Sequence, residues 1–181
     1  MDVAKVTPVK VTVRVPTSLP SVDDMDIGKA IEEVSLEFNK DAAVTCATIK
    51  NMLEDFDDDM ELPIIKVTAP TMKRVITFCE YHIDHPLPEI EEKDKKRSDN
   101  IPEWDLAFLT MKQDDLFELL LAANYLEQTD LLNICCKTVA NMIKGKTPEE
   151  IRELFNIKDD FTDDEKEQIK KENAWCEESK K

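Results

Sequence analysis

Apolar and polar residues alternate strictly near the start of the chain, where Val9, Val11, Val13 and Val15 are separated by Lys10, Thr12 and Arg14. A two-residue period puts every second side chain on one face, so a half-buried strand is predicted there, stopped by Pro16. Val34, Leu36 and Phe38 repeat the period and predict a second strand. The stretch between them, residues 16–33, is polar and acidic. It is far longer than a hairpin loop of about two to five residues and reads as an insertion, with room for a short helix over 27–34.

Farther along, the period lengthens to that of a helix. Val44, Ala47, Ile49, Met52 and Leu53 predict a short amphipathic helix over 44–53, followed by an acidic loop over 54–61. A short strand is predicted over 62–67. A helix over 70–83 then carries Met72, Val75, Ile76 and Cys79 on one face. Pro86 and Pro88 end it and open a charged linker, 86–100, which reads as a solvated loop. From Ile101 onward the chain is helical. Residues 115–126 contain Leu116, Phe117, Leu119, Leu120, Leu121, Ala122 and Ala123, apolar nearly all round, so this helix is expected to be buried on several sides. The next helix covers 129–144, with Gly145 as its C′ residue.

Two further helices announce themselves by their caps. Thr147, Pro148 and Glu150 form an N-cap, a first-turn proline and a capping box; Thr162 and Glu165 repeat the device. The last helix, 163–179, has only Ile169, Ala174, Trp175 and Cys176 as apolar residues. So thin a stripe gains little from packing. Either it folds back on the domain or a partner protein completes its packing.

Composition narrows the function classes. The 181 residues include 24 basic and 40 acidic ones, a formal net charge of −16. A field of that sign repels phosphate backbones and anionic lipid, so nucleic-acid and membrane binding are not expected, whereas basic protein surfaces are drawn in. Only 2 glycines occur, Gly28 and Gly145, which excludes phosphate-cradling and dinucleotide loops; no cofactor is expected. No apolar run approaches the roughly 20 residues of a membrane span, and Met1–Val15 alternates where a secretion signal would be basic and then apolar. The 5 cysteines are an odd number in a chain of this size. Reduced thiols in the cytoplasm and nucleus are the expected state.

Chemical constellations are sparse. Cys79, His82 and His85 make a C-x-x-H-x-x-H string of zinc-competent ligands. Steps of three residues diverge along a helix, and no fourth ligand lies nearby, so one core cysteine and two surface histidines are expected instead. With both histidines in one turn, a nucleophile–base pair across a cleft has no base to use. Runs such as Asp57-Asp58-Asp59 are solvated charge, because general-acid work needs a carboxylate in an apolar pocket. The chain is not expected to be an enzyme. What remains is helical surface. Leu131, Leu132, Cys136, Val139 and Ile143 follow helical spacing, and with Phe155, Ile157 and Trp175 they exceed what two short polar helices can cover. By pattern alone they are core as readily as interface.

Longer motifs bring in a family. The run Leu116-Phe117-Glu118-Leu119-Leu120-Leu121-Ala122-Ala123-Asn124-Tyr125-Leu126 closely resembles the S-phase-kinase-associated protein (Skp) family, the adaptors of SCF cullin–RING ubiquitin ligases. So do Cys136-Lys137-Thr138-Val139-Ala140-Asn141-Met142-Ile143-Lys144-Gly145-Lys146-Thr147-Pro148-Glu149-Glu150-Ile151-Arg152 and the tail Lys171-Glu172-Asn173-Ala174-Trp175-Cys176. Thr48-Ile49-Lys50-Asn51-Met52-Leu53-Glu54-Asp55 and Ile101-Pro102-Glu103-Trp104-Asp105 match as well, and the resemblance spans about residues 41–178.

The resemblance implies a mixed α/β fold: a BTB/POZ-like domain over 1–128, with a small sheet and helices, then C-terminal F-box-binding helices over 129–181. It implies a non-catalytic adaptor that bridges a cullin scaffold to F-box substrate receptors in ubiquitin-dependent degradation. The alternative is an F-box-binding assembly factor that never engages a cullin. By motif, the cullin contact carries over to Asn124 and Tyr125, with Leu62 and Pro63 beside them. The F-box surface carries over to Leu116, Phe117, Leu120, Leu131, Leu132, Cys136, Val139, Ile143, Phe155, Ile157 and Trp175. A weak homodimer through the BTB-like face is a further expectation. The 16–33 insertion departs from the family's short polar hairpin and marks a diverged paralogue.

Overall fold

The computed structural model describes residues 10–18, 32–55, 61–88 and 101–173. Strand β1, Lys10–Pro16, pairs antiparallel with β2, Glu33–Asn39, in a register that sets Val13 opposite Leu36 and Val11 opposite Phe38. The predicted alternation is what the sheet uses: Val11, Val13 and Val15 are buried while Arg14 faces solvent. Pro16 ends the strand as its last paired residue, where the missing N–H costs no ladder bond. The base of the insertion is closed by Thr17, whose N–H and hydroxyl both donate to the Glu32 carbonyl, at 2.9 and 3.0 Å. Residues 19–31 lie outside the described residues; of the short helix considered over 27–34, Glu33 and Val34 belong to β2.

The strand expected over 62–67 shrinks to β3, Leu62–Pro63, which runs parallel to β1 with Leu62 opposite Val13. Pro63 has no N–H to extend the ladder, and the chain turns at Ile65 and Lys66 after the Ile64 N–H donates to the Arg14 carbonyl at 2.8 Å. The sheet order is therefore β2-β1-β3.

The first predicted helix, 44–53, begins late, and an unpredicted short helix precedes it. Helix α1, Lys40–Ala43, is capped by the Asn39 side chain; α2, Ala47–Asp55, starts three residues later than expected. The break comes from Thr45, whose N–H and hydroxyl both donate to the Ala42 carbonyl, at 3.1 and 2.7 Å, and Val44 is left exposed. Helix α3, Ala69–Asp84, buries Met72, Val75, Ile76 and Cys79 as predicted, with Phe78 beside them, and packs on α1, β2 and α5. Helices α4, Glu103–Phe108, α5, Gln113–Tyr125, and α6, Thr129–Ile143, complete this core. Trp104 stacks on Tyr81 with ring centroids 3.7 Å apart, which ties α4 to α3 across the linker; residues 89–100 of that linker lie outside the described residues.

Helix α5 ends without a glycine. Glu127 takes φ 53°, the Gln128 N–H donates to the Ala123 carbonyl at 2.9 Å, and the Glu127 N–H donates to the Asn124 carbonyl at 3.2 Å. These are the two bonds of a Schellman closure. Gly145, with φ 78°, follows α6 at the predicted position, and nothing lies within 4 Å of where a Cβ would stand, so the glycine supplies conformation and not space. Helices α7, Pro148–Leu154, and α8, Asp163–Glu172, begin with the two predicted capping boxes.

The chain forms two compact units, 1–142 and 143–181. Helix α6 belongs almost entirely with the first unit, because its face of Leu131, Ile134 and Cys135 is part of that core. The second unit, over its described residues, buries no side chain at all. Arg152 lies 5.7 Å from the Phe161 ring, and Lys166 pairs with Asp159 at 2.7 Å.

Candidate functional site

The Cys79, His82 and His85 string forms no ligand set. His82 Nε2 faces the Asp105 carboxylate at 2.9 Å and its Nδ1 faces the His85 carbonyl at 2.8 Å. Since the carbonyl only accepts, Nδ1 carries a proton there. Both ring nitrogens are thus occupied away from Cys79. His85 Nδ1 faces the Tyr81 carbonyl, and its ring stacks on Tyr81. Among the described residues no three His, Cys, Asp or Glu side chains converge on a metal position.

Two partly exposed surfaces gather the other predicted residues. The first gathers at the C-terminal end of α5. Asn124 is exposed and Tyr125 half-buried. The Tyr125 ring lies 5.6 Å below the Lys66 ammonium, and its carbonyl accepts from the Thr48 hydroxyl at 2.9 Å. The Thr48 N–H donates to the next carbonyl, that of Leu126, at 3.3 Å. The start of α2 therefore grips the end of α5 and holds the Asn124–Tyr125 pair in place. Pro63 is exposed close by in sequence to Lys66, but Leu62 is 0% exposed. Its side chain anchors β3 in the core opposite Val13, so it cannot itself meet a partner.

Sequence reasoning missed two members of this face. Leu121, one turn before Tyr125, is 65% exposed, and Ile65 beside Lys66 is 63% exposed. The expectation that α5 is buried on several sides thus fails on the flank of Leu121. Its core face is Leu116, Leu119, Ala122 and Ala123. Phe117, Leu121 and Asn124 recur at i, i+4 and i+7 on the outward side. No periodicity marks this, because apolar residues stand on both flanks; the one available signal was the excess of leucine over what a single core face needs.

The second surface lies on α5 and α6. Leu132, Cys136, Val139 and Ile143 recur at i, i+4, i+7 and i+11, a single stripe on α6 that flanks the core face of Leu131, Ile134 and Cys135, with Leu132 and Val139 packed against the core. Cys136 and Ile143 are exposed, Leu132 and Val139 half-buried. On α5, Phe117 and Leu120 are half-buried. Leu116 and Leu131 are fully inside the core, so of the predicted F-box residues these two support the surface from below and do not present it. Within the second unit, Phe155 is half-buried at the end of α7 and Ile157 is 55% exposed. Phe161 and Ile169 are exposed as well, and neither was anticipated. Trp175 lies outside the described residues.

Comparisons with known proteins bear on the family of the chain. The sequence model described as the Skp1 family tetramerisation domain matches residues 31–84, and that of the Skp1 family dimerisation domain matches residues 129–176. Two proteins of Dictyostelium discoideum, the SCF ubiquitin ligase complex proteins SKP1a and SKP1b, are each 51% identical to it over 148 residues, covering 81% of this chain and 91% of theirs. A Skp1-related protein of Caenorhabditis elegans is 53% identical over 138 residues, 72% of this chain and 78% of its own length. With both domain models matched in order and half the residues shared over most of each sequence, the chain belongs to the Skp1 family.

Proposed function

We propose that this protein is a non-catalytic adaptor of an SCF-type ubiquitin ligase, joining F-box substrate receptors to a cullin scaffold. The observation that carries the reading is the part-exposed apolar surface: α7 and α8 are capped yet fully bury no side chain, while α6 carries a partly exposed apolar stripe beside its core face. Helices that cannot bury their apolar residues gain stability by receiving an amphipathic partner, the groove-and-helix mode of recognition. Membership in a family whose curated relatives carry SCF ubiquitin ligase names adds the biological setting.

In this reading the F-box receives Phe117, Leu120, Leu132, Cys136, Val139, Ile143, Phe155, Ile157 and Trp175, and the cullin receives Asn124, Tyr125 and Pro63. The adaptor performs no bond-making. It holds receptor and scaffold at a set separation, which raises the effective concentration of substrate near the ubiquitin-loading machinery. Self-association through the BTB-like domain is a second, weaker mode, in keeping with the tetramerisation description of the domain matched over 31–84.

Co-expression with an F-box protein and a cullin N-terminal domain tests the reading. One co-eluting ternary complex is expected. A complex with the F-box protein alone, against a panel of cullins, would replace the adaptor with an assembly factor.

A further inference from the structure

Cys46 closes the turn between α1 and α2, and Cys79 sits on the buried face of α3. Their sulfurs lie 3.9 Å apart, although the residues are 33 apart in sequence, and both side chains are buried. Neither docking surface uses them. Their surroundings are polar and ordered. The buried Gln128 accepts through Oε1 from the Asp130 and Leu131 N–H groups, at 2.9 and 3.1 Å, and so caps α6. That orientation aims its Nε2 at the Cys79 sulfur, 3.8 Å away, and at the Thr45 hydroxyl, 3.4 Å away.

Donors therefore converge on one sulfur of the pair. The hydrogen bond from Cys46 first, then that of Gln128, hold the Cys79 thiol below its ordinary range against the opposing effect of burial. The same contact, with burial, pushes the Cys46 thiol far up. Cys79 is thus the sulfur that forms thiolate, and Cys46 the one that keeps its proton. Cys79 also borders a cavity of about 360 Å³ lined by Thr45, His82, Leu87, Gln128 and Asp130. At 1% exposed, the sulfur is reachable only by a very small molecule.

We propose that Cys79 and Cys46 are a hydroperoxide-reactive pair: a hydroperoxide entering this cavity oxidises Cys79, and Cys46 resolves the product to an intramolecular disulfide. The Cys79 thiolate attacks one peroxide oxygen, the O–O bond breaks, and the sulfur becomes a sulfenic acid. The departing hydroxide takes up the proton that Cys79 released and leaves as water, or as alcohol from an organic hydroperoxide. Cys46 sulfur then attacks Cys79 sulfur, the S–O bond breaks, and hydroxide leaves with the Cys46 proton as a further water. Two thiols are oxidised and one peroxide is reduced. The sulfurs must approach by about 1.9 Å to reach disulfide length. That movement draws the start of α2, whose Lys50 N–H donates to the Cys46 carbonyl at 2.9 Å, toward α3.

The test treats the reduced full-length chain with hydrogen peroxide, quenches it, unfolds and alkylates it, and maps the peptides by mass spectrometry. Cys46 and Cys79 should leave the alkylated pool together, at a rate independent of protein concentration. They should reappear as one cross-linked peptide pair lighter by two hydrogens and reversed by dithiothreitol. Cys135, whose thiol burial pushes up to about 12, should oxidise at least about tenfold more slowly. In Cys46→Ser, Cys79 should stop at the sulfenic acid and be captured by a cyclic 1,3-diketone. The proposal is overturned if both thiols stay alkylable while the exposed Cys136 is oxidised, or if either pairs with a different cysteine. The unsubstituted chain decides this even if the serine variant fails to fold.

Discussion

At the scale of single residues, the Asn124–Tyr125 pair separates a docking role from a folding role. Tyr125 contributes to the fold chiefly through its carbonyl, which any residue at that position supplies to Thr48, and in part through a ring half-buried against the core. Its ring and the exposed Asn124 side chain are available to a partner. Asn124→Lys combined with Tyr125→Lys should therefore leave the protein folded. A lysine desolvated without a partner in an interface costs several kcal/mol, so cullin affinity should fall by about 100-fold or more. F-box affinity should stay within about twofold, and paired titrations of the two partners on the variant measure both. Retention of cullin binding would move the scaffold surface elsewhere.

Asp105 is the residue whose partner matters most for stability. Its carboxylate is 0% exposed, Oδ1 meets His82 Nε2, and Oδ2 has no hydrogen-bond partner among the described residues. Removing the imidazole by His82→Ala leaves both oxygens buried and unpaired. A loss of about 3–5 kcal/mol is expected from that mechanism, read by chemical denaturation. His82→Ala with Asp105→Asn should recover part of it, because the neutral amide carries no buried charge. The sequence offered His82 as a surface residue; only the return of α4 after the linker supplied the carboxylate that makes it structural.

At the scale of elements, the capping boxes were legible to the residue. Thr147 and Glu150, like Thr162 and Glu165, exchange their hydrogen bonds as their spacing required, since a cap is made within one turn and needs no tertiary contact. The cap of α8 has a pH signature. Glu165 accepts from the Thr162 backbone N–H at 2.8 Å and from its hydroxyl at 2.8 Å, and these hold its carboxyl below the ordinary value of 4.5. Lys166 likewise holds Asp159 low. A folded value below the unfolded one means that the stabilisation is full above about pH 4.5 and disappears as pH falls through the depressed values. Amide chemical shifts of residues 163–172 should thus lose helical character on acidification, before those of α3 and α5. Thr162→Ala should cost the helix about 1 kcal/mol at neutral pH and flatten that acid dependence.

Other elements were less legible. The helix expected over 44–53 starts only at Ala47 because Thr45 turns its hydroxyl and N–H back to the Ala42 carbonyl. The strand over 62–67 stopped at a proline that hydropathy counts as neutral. Glu127 closes α5 in a conformation for which composition gives no sign, because the Schellman bonds and the capping glutamine beside it offset the strain of a positive φ.

At the scale of the molecule, burial is divided unequally. The unit 1–142 contains the whole described core, whereas the described part of 143–181 contains no buried side chain. Opening free energies follow burial. Hydrogen exchange on the full chain should find the central amides of α3 and α5 protected to the global limit. Those of α7 and α8 should exchange orders of magnitude faster, with protection rising in both when an F-box protein is added. Equal protection throughout, with no change on binding, would remove the main support for the adaptor reading. The charge of −16 works at this scale too, since it acts on the approach of partners and on solubility, not on the fold.

Strand alternation, helix starts, the C′ glycine and the family motifs were all properties of the sequence by itself, because each depends on residues within a few positions of one another. Which flank of α5 and α6 faces inward was decided only by tertiary structure. Both helices are apolar on more than one side, and periodicity cannot choose between two apolar faces. Packing chose Leu116 and Leu131 for the core, left Leu121 and Ile143 outside, and brought Cys46 to Cys79 and Asp105 to His82. Such long-range pairings follow from the closing of the fold around one core, and no local pattern of residues encodes them.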